Sequence, residues 1–267
     1  MPQMWETLSL DALDDGIALL AINRPDRLNT MTVPLFTDLT LATRALRDSG
    51  TRALILTGAG DRVFCAGFDL DEIEVITRMG VREFLRFQEL ATGSLAALRD
   101  LPFPVIAAVR GPASGGGLSL ALTADIRLAS PTAKFNAAFV RVGLSAGELG
   151  TSWTLSRLIG YGRAAEIMYT ARNVDAAEAM RIGLVNRVVP DVGLMDSATT
   201  LARQLMTNSP AGVRVSKRAL QRNLEVASYR AAMELENRGQ ALLTQGEDMP
   251  EALAAFTERR APTFTGR

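Results

Sequence analysis

The sequence predicts an α/β fold in which strands alternate with helices over residues 1–190, followed by a purely helical region over 191–267. Three observations carry this. Short apolar runs bounded by Gly and Pro alternate with segments of helical period, which is the pattern of mixed layers rather than of separate α and β units. The stretch PVIAAVRGPASGGGLSLALTAD at 104–125 delivers a buried strand, Val105–Val109, through a Gly111-Pro112 turn to Gly115-Gly116-Gly117 and a buried helix over Leu118–Leu122. After Pro190 the composition changes and no further strand is legible.

Taken in order, Met4–Leu10 and Ile17–Asn23 read as strands joined at Asp14-Asp15-Gly16. Residues 24–29, RPDRLN, read as a loop. Thr32 is a candidate cap for a helix whose first turn accepts Pro34, with Leu35, Leu39, Ala42 and Leu46 at helical spacing. Arg52–Thr57 reads as a strand, and Val63–Leu70 as a short strand running into a glycine loop. Val81–Leu98 is an amphipathic helix, Asp125–Ser130 a strand, Lys134–Gly150 mostly loop, and Leu155–Tyr169 helical with a break at Gly160. Asp175 and Glu178 have capping-box spacing, with Gly183 as the C-terminal stop. Leu184–Val189 is the last strand, and Val192–Asn208, Val213–Asn223, Ser228–Gln245 and Glu251–Arg260 read as helices.

The composition excludes several classes. Of 267 residues, 48% are hydrophobic, enough for a sizeable core. Lys plus Arg and Asp plus Glu are equal at 29 each, which argues against general nucleic-acid binding. No apolar run reaches membrane-spanning length, so no membrane partner is expected. The first fifteen residues carry acids and no basic leader, and the single cysteine, Cys65, allows neither an internal disulfide nor a cysteine-cluster metal site; together these suggest a cytoplasmic protein with no metal. There is no histidine. Any general acid or base is therefore Asp, Glu, Lys, Tyr, Cys or water.

The glycine stretch is the most informative candidate site. Without Cβ atoms the backbone can approach a ligand closely, and free N–H groups at a helix start favour negative charge. A phosphate, a carboxylate or an oxyanion would fit. No Gly-Lys-Ser/Thr follows, the spacing is not GxGxxG, and Ser114 lacks a GxSxG frame, which argues against a P-loop, a dinucleotide fingerprint and a nucleophile elbow. A second glycine loop, Ala66-Gly67-Phe68-Asp69, offers another backbone N–H that could face the same oxygen.

With both loops in view, the sequence resembles the crotonase superfamily, the enoyl-CoA hydratase/isomerase family. The matching pieces are Asn23-Arg24-Pro25, Leu28-Asn29, Leu56-Thr57-Gly58, Phe64 to Leu70, Gly111-Pro112, Gly115 to Gly117, Ala133-Lys134-Phe135, Gly183 to Asn186 and the tail Ala255 to Arg260. They occur in family order over nearly the whole chain. The resemblance implies a spiral of ββα units (the ClpP/crotonase fold) followed by C-terminal helices that trimerise, as a homotrimer or a dimer of trimers. It implies an acyl-CoA thioester as substrate, with no permanently bound cofactor and coenzyme A entering as part of the substrate. It implies an oxyanion hole made by the N–H groups of Phe68 and Gly116. CoA contacts carry over to Arg27, Leu28, Ala66, Asp69 and Leu70, and to Phe256 and Arg259 reaching from a neighbouring subunit.

The departures from the family pattern matter as much. Ser119 and Phe139 occupy the positions of the two glutamates that hydratases of this family use. Glu148, in GLSAGELGT, is the remaining carboxylate of the loop that resembles the acyl-pocket wall, so it is the candidate acid/base or nucleophile, with Glu89 as second choice. Cys65 reads as small apolar packing. The resulting expectation is hydration or double-bond isomerisation of an enoyl-CoA through a stabilised enolate. The alternatives are a non-catalytic acyl-CoA binder and an enzyme using Glu148 for nucleophilic attack.

Overall fold

The computed structural model describes residues 3–14 and 16–267; Asp15, the middle of the first expected turn, lies outside the described residues. The chain begins with β1 (Gln3–Met4), β2 (Leu8–Asp14) and β3 (Ile17–Ile22), then α1 (Val33–Arg47), β4 (Ala53–Gly58), α2 (Leu70–Thr77) and α3 (Val81–Arg99). The central stretch is β5 (Val105–Val109), β6 (Pro112–Ser114), α4 (Gly116–Thr123), β7 (Ile126–Ala129) and β8 (Lys134–Asn136). After these come α5 (Thr151–Ile159), α6 (Tyr161–Thr170), β9 (Val174–Asp175), α7 (Ala176–Ile182) and β10 (Arg187–Val188). The C-terminal helices are α8 (Leu194–Met206), α9 (Pro210–Asn223), α10 (Tyr229–Leu243) and α11 (Asp248–Glu258). No helix among the described residues is long and apolar enough to cross a membrane.

Seven strands form one sheet in the order β1-β2-β3-β4-β5-β7-β10, antiparallel at the β1–β2–β3 edge and parallel from β3 onward. A second sheet pairs β6 parallel to β8 and β8 antiparallel to β9. Parallel strands need crossovers, and the helices that supply them cover both sheet faces. Every residue of β5 is consequently buried. Along β4 and β5 the side chains alternate between two cores. Leu54, Leu56, Val105, Ala107 and Val109 face the large cluster under α1, α3 and α4. Ala53, Ile55, Ile106 and Ala108 face α8, which buries Leu194, Ala198 and Ala202 against them. The packed core therefore extends to α8, past the change in composition at Pro190. Beyond it, α9 is anchored by Lys217, whose Nζ pairs with Asp125 at 2.8 Å and donates to the Phe103 carbonyl at 2.9 Å.

Several local expectations are corrected. The strand read over 4–10 folds back on itself as β1 and β2, with Trp5 N–H donating to Leu8 O at 2.9 Å. The short strand read at the start of 63–70 is only a loop tied by single bridges, Met31 to Phe68 and Cys65 to Ala113, and after the glycine loop Leu70 opens a helix. The reason is local. Asp69 caps α2, its carboxylate accepting from Asp71 N–H at 3.2 Å, so the chain turns helical there. Asp175 does cap α7, through Glu178 N–H at 2.8 Å, but the Glu178 carboxylate pairs with Arg172 rather than completing a capping box. Thr32 has the backbone conformation of a cap without a side-chain cap bond. Of the strand read over 184–189 only Arg187–Val188 pairs, and the stretch read as loop after Lys134 begins with β8.

Candidate active site

The two glycine loops meet. Cys65 N–H donates to Pro112 O at 3.1 Å and Ser114 N–H to Cys65 O at 3.0 Å, zipping the 63–68 loop along β6. The contact is tight enough to dictate sequence: a Cβ on Gly117 would lie 2.1 Å from the Cys65 carbonyl oxygen. Gly115, the residue before α4, has φ +52° and ψ −117°, a conformation that L side chains rarely adopt. A Cβ position on Gly67 would lie 3.8 Å from the Gly116 nitrogen, so the Phe68 and Gly116 peptides are close neighbours.

Their N–H groups are also free. The neighbours are engaged: Ala66 N–H donates to Leu28 O, Asp69 N–H to Met31 O, Gly115 N–H to Asn136 O and Ser119 N–H to Gly115 O. Phe68 N–H and Gly116 N–H have no acceptor among the described residues. Gly116 is the first residue of α4, where the helix has no carbonyl to offer it. Two adjacent unpartnered donors at a helix N-terminus are suited to an oxyanion.

The Phe68 side chain belongs to an aromatic cluster, stacked on Phe36 at 6.3 Å and edge-on to Phe87 of α3 at 5.7 Å between ring centroids. The residue after Phe87 is Gln88, which faces Glu148. Glu148 is half-buried, in the loop that enters α5. Burial pushes its carboxyl pKa above the ordinary value, against the opposing pull of the Gln88 side chain and the Leu149 N–H. The next residue, Leu149, is held at φ +50°, costly for a residue with a branched side chain, and its Cδ1 comes within 3.7 Å of where a Gly116 Cβ would stand. The loop thus folds back over the start of α4. Glu89, the alternative base, is exposed on α3.

Ser119 is 1% exposed and its hydroxyl lies 2.6 Å from that of Thr151, itself fully buried. Phe139 is also buried, its ring edge 3.9 Å from a Cβ position on Gly115. The two positions thus hold a buried hydroxyl pair and an aromatic ring, neither of them a carboxylate. Cys65 is fully buried and desolvation pushes its thiol up to about 12. Iodoacetamide at pH 8 is expected to leave the native protein unmodified, and rapid labelling measured by mass spectrometry would contradict that packing.

The residues nominated for CoA contacts fall into two groups. Arg27, Leu28, Ala66, Asp69 and Leu70 lie together. Arg24, Arg27 and Thr30 converge on the Asp69 carboxylate at 3.1, 3.1 and 2.9 Å. Burial acts to raise the Asp69 pKa, but the bonds from Thr30, Arg27, Asp71 N–H and Arg24 outweigh it and hold the group below the usual carboxylate range. Asp69 is 4% exposed, so its carboxylate braces the loop, while Leu28 and Leu70 are exposed around it. Asn29 completes the brace, donating to Ala59 O and Val63 O at 2.9 and 2.8 Å. Phe256 and Arg259 are elsewhere. Both are exposed, and the hydrogen bonds of α11 run to Ser209 and to the end of the chain, none of them to residues 24–30 or 64–70. Gln88 and Leu149 were missed by the sequence reading, because a glutamine on a helix and a leucine in a loop carry no motif; their roles come from what they pack against.

This architecture is the crotonase fold, a spiral of strands and helices that sets glycine loops side by side. A family model described as enoyl-CoA hydratase/isomerase matches residues 12–267. Over 259 residues the chain is 45% identical to a Mycobacterium tuberculosis H37Rv protein described as "Probable enoyl-CoA hydratase EchA12", covering 93% of this chain and 89% of that one. It is 39% identical over 246 residues to the short-chain-enoyl-CoA hydratase of Clostridium acetobutylicum, covering 91% and 92%. The crystal structure of an enoyl-CoA hydratase from Bacillus anthracis superposes with a TM-score of 0.92 at 32% identity, covering 98% of this chain and 100% of that chain. The chain belongs to the enoyl-CoA hydratase/isomerase family.

Proposed function

We propose that this enzyme moves a double bond within an enoyl-CoA thioester, through an enolate whose oxygen is held by the N–H groups of Phe68 and Gly116. The observation that supports it best is the pair of adjacent, unpartnered backbone donors at the start of α4. Deprotonation next to the thioester carbonyl puts charge on its oxygen, and donors already aimed there favour the enolate over the ground state. The proton is carried by Glu148, whose carboxyl pKa is raised above its ordinary value by burial, the direction that favours a base over an unperturbed glutamate. One carboxylate is sufficient to lift a proton from one carbon and return it to another. Hydration also requires a positioned water and a second proton donor.

Hydration is the second reading, and the buried Ser119–Thr151 hydroxyl pair favours it as a place for a water. The two are separated by assaying 3-enoyl-CoA isomerisation and crotonyl-CoA hydration on the same preparation. Isomerisation is expected to be the faster; hydration at rates typical of an efficient enzyme would replace the first reading with the second. No turnover of either, with CoA thioesters bound, would indicate a binder.

The helices beyond α8 support assembly as a trimer or a dimer of trimers. α10 buries no residue, and Leu220, Tyr229, Leu242, Leu253 and Phe256 are each at least 60% exposed. Among the described residues no hydrogen bond links α11 to residues 24–30 or 64–70, which supports a contact of Phe256 and Arg259 across subunits rather than within one chain. Light scattering is expected to return a trimer or hexamer, and Phe256→Ala with Arg259→Ala to weaken CoA binding about tenfold with the oligomer intact. A stable monomer at micromolar concentration would contradict the assembly, and unchanged affinity would remove both residues from the site.

A further inference from the structure

Behind the free Gly116 N–H a slot of about 200 Å³ runs between α3, α4 and the start of α5. Its walls include Thr92, Leu95 and Arg99 of α3, Ser119 and Leu122 of α4, and Leu149. Leu149 touches both the slot and the Gly116 position, and Ser119 is one helical turn beyond Gly116, so the slot lies next to the proposed thioester site. Thr92, Leu95 and Arg99 form one stripe at helical spacing, and the rise between the first and the last is about 10 Å. In an extended chain, at about 1.2 Å per bond, that is room for roughly eight bonds.

The α3 stripe ends in charge. The guanidinium carbons of Arg99 and Arg157 lie 4.7 and 4.0 Å from the centre of the same Trp153 ring. Two cations on one aromatic ring repel each other, and among the described residues neither has a carboxylate within ion-pair distance. The nearby acids, Asp125 and Asp100, act on Lys217, which Asp125 pairs at 2.8 Å. Arg157 is exposed, whereas Arg99 is half-buried and lines the slot. A mostly apolar cleft with an unpaired guanidinium on its wall is complementary to an apolar chain that ends in an anion.

We propose that this slot takes the acyl tail of the substrate and that Arg99 recognises a carboxylate at its far end, so that the preferred substrates are medium-chain acyl-CoAs of dicarboxylic acids. The inference rests on the acyl-CoA reading above. It is tested by calorimetric titration of the full-length protein with two saturated thioesters that cannot undergo the reaction, octanoyl-CoA and octanedioyl-CoA, alongside CoA itself. Wild type is expected to bind octanedioyl-CoA about tenfold to a hundredfold more tightly than octanoyl-CoA, the range of a hydrogen bond to a charged group. Arg99→Met is expected to abolish that ratio. Arg99→Lys, which keeps the charge and the packing stem over Trp153, is expected to retain part of it. Octanoyl-CoA binding as well as or better than octanedioyl-CoA would overturn the proposal, as would a preference that survives Arg99→Met. Those outcomes leave the acyl-CoA reading standing, whereas failure of both thioesters and CoA to bind would overturn the two together.

Discussion

Replacing Gly116 with proline is expected to lower kcat by about a hundredfold or more while the protein stays folded. Proline removes the one N–H that the substitution targets and nothing else from the hydrogen-bond network, because Gly116 N–H has no acceptor among the described residues. The position is the first of α4, where proline is compatible with a helix. Loss of one oxyanion donor costs on the order of 10²–10³ in rate. Steric change must be separated from donor loss, since a Cβ at Gly116 would lie 2.7 Å from the Met31 sulfur. Gly116→Ala is the control: the thioether of Met31 is flexible, the N–H is retained, and the loss should be at least tenfold smaller than for proline. Near-normal turnover in folded Gly116→Pro, measured on the best enoyl-CoA substrate, would contradict the assignment. Phe68→Ala is expected to act only through the Phe36 and Phe87 packing, since the Phe68 donor is backbone.

Glu148→Gln is expected to cost about 10²–10⁴-fold in kcat with acyl-CoA affinity changed by only severalfold, since it keeps the shape and removes the titrating group. The pH dependence gives an independent readout. A base works in its deprotonated form, so activity should fall as pH drops through the pKa of Glu148. Burial raises that pKa, so the acid limb of kcat/KM should lie above the ordinary glutamate value of about 4.3. The limb should disappear in Glu148→Gln, and in Gln88→Leu, which removes the side chain that opposes the shift, it should move further upward. Full activity in Glu148→Gln would move the base elsewhere, and an acid limb at or below the ordinary value would show that the group is not the one titrating. Ser119→Glu is not expected to give efficient hydration, because it breaks the 2.6 Å hydroxyl pair with the buried Thr151 and sets a charge beside a group left unpaired.

The sequence by itself determined the fold class. The β5 run is apolar at every position because both faces of a parallel sheet are covered, and the helical stripes of α1 and α3 are written at a period that survives without any partner. It also determined which residues to nominate: three glycines at a helix start, a second glycine loop, and the one carboxylate of the 143–151 loop in a chain without histidine. What it could not determine lies in contacts between distant segments. Whether the Phe68 and Gly116 donors are free depends on every acceptor around them, and those come from residues 28, 31, 112 and 136. The helix that opens at Leu70 follows locally from the Asp69 cap, but the loop before it is held in place by Arg24, Arg27 and Thr30, which bind Asp69 from about forty residues away in the chain. The Gln88 that faces Glu148, the Leu149 that closes over Gly116 and the Arg99 left without an acid carry no pattern of their own. Local propensity and periodicity act over a few residues, so they specify elements and candidates. Burial, charge compensation and hydrogen-bond completion are sums over everything that packs nearby, so only the tertiary structure decides them.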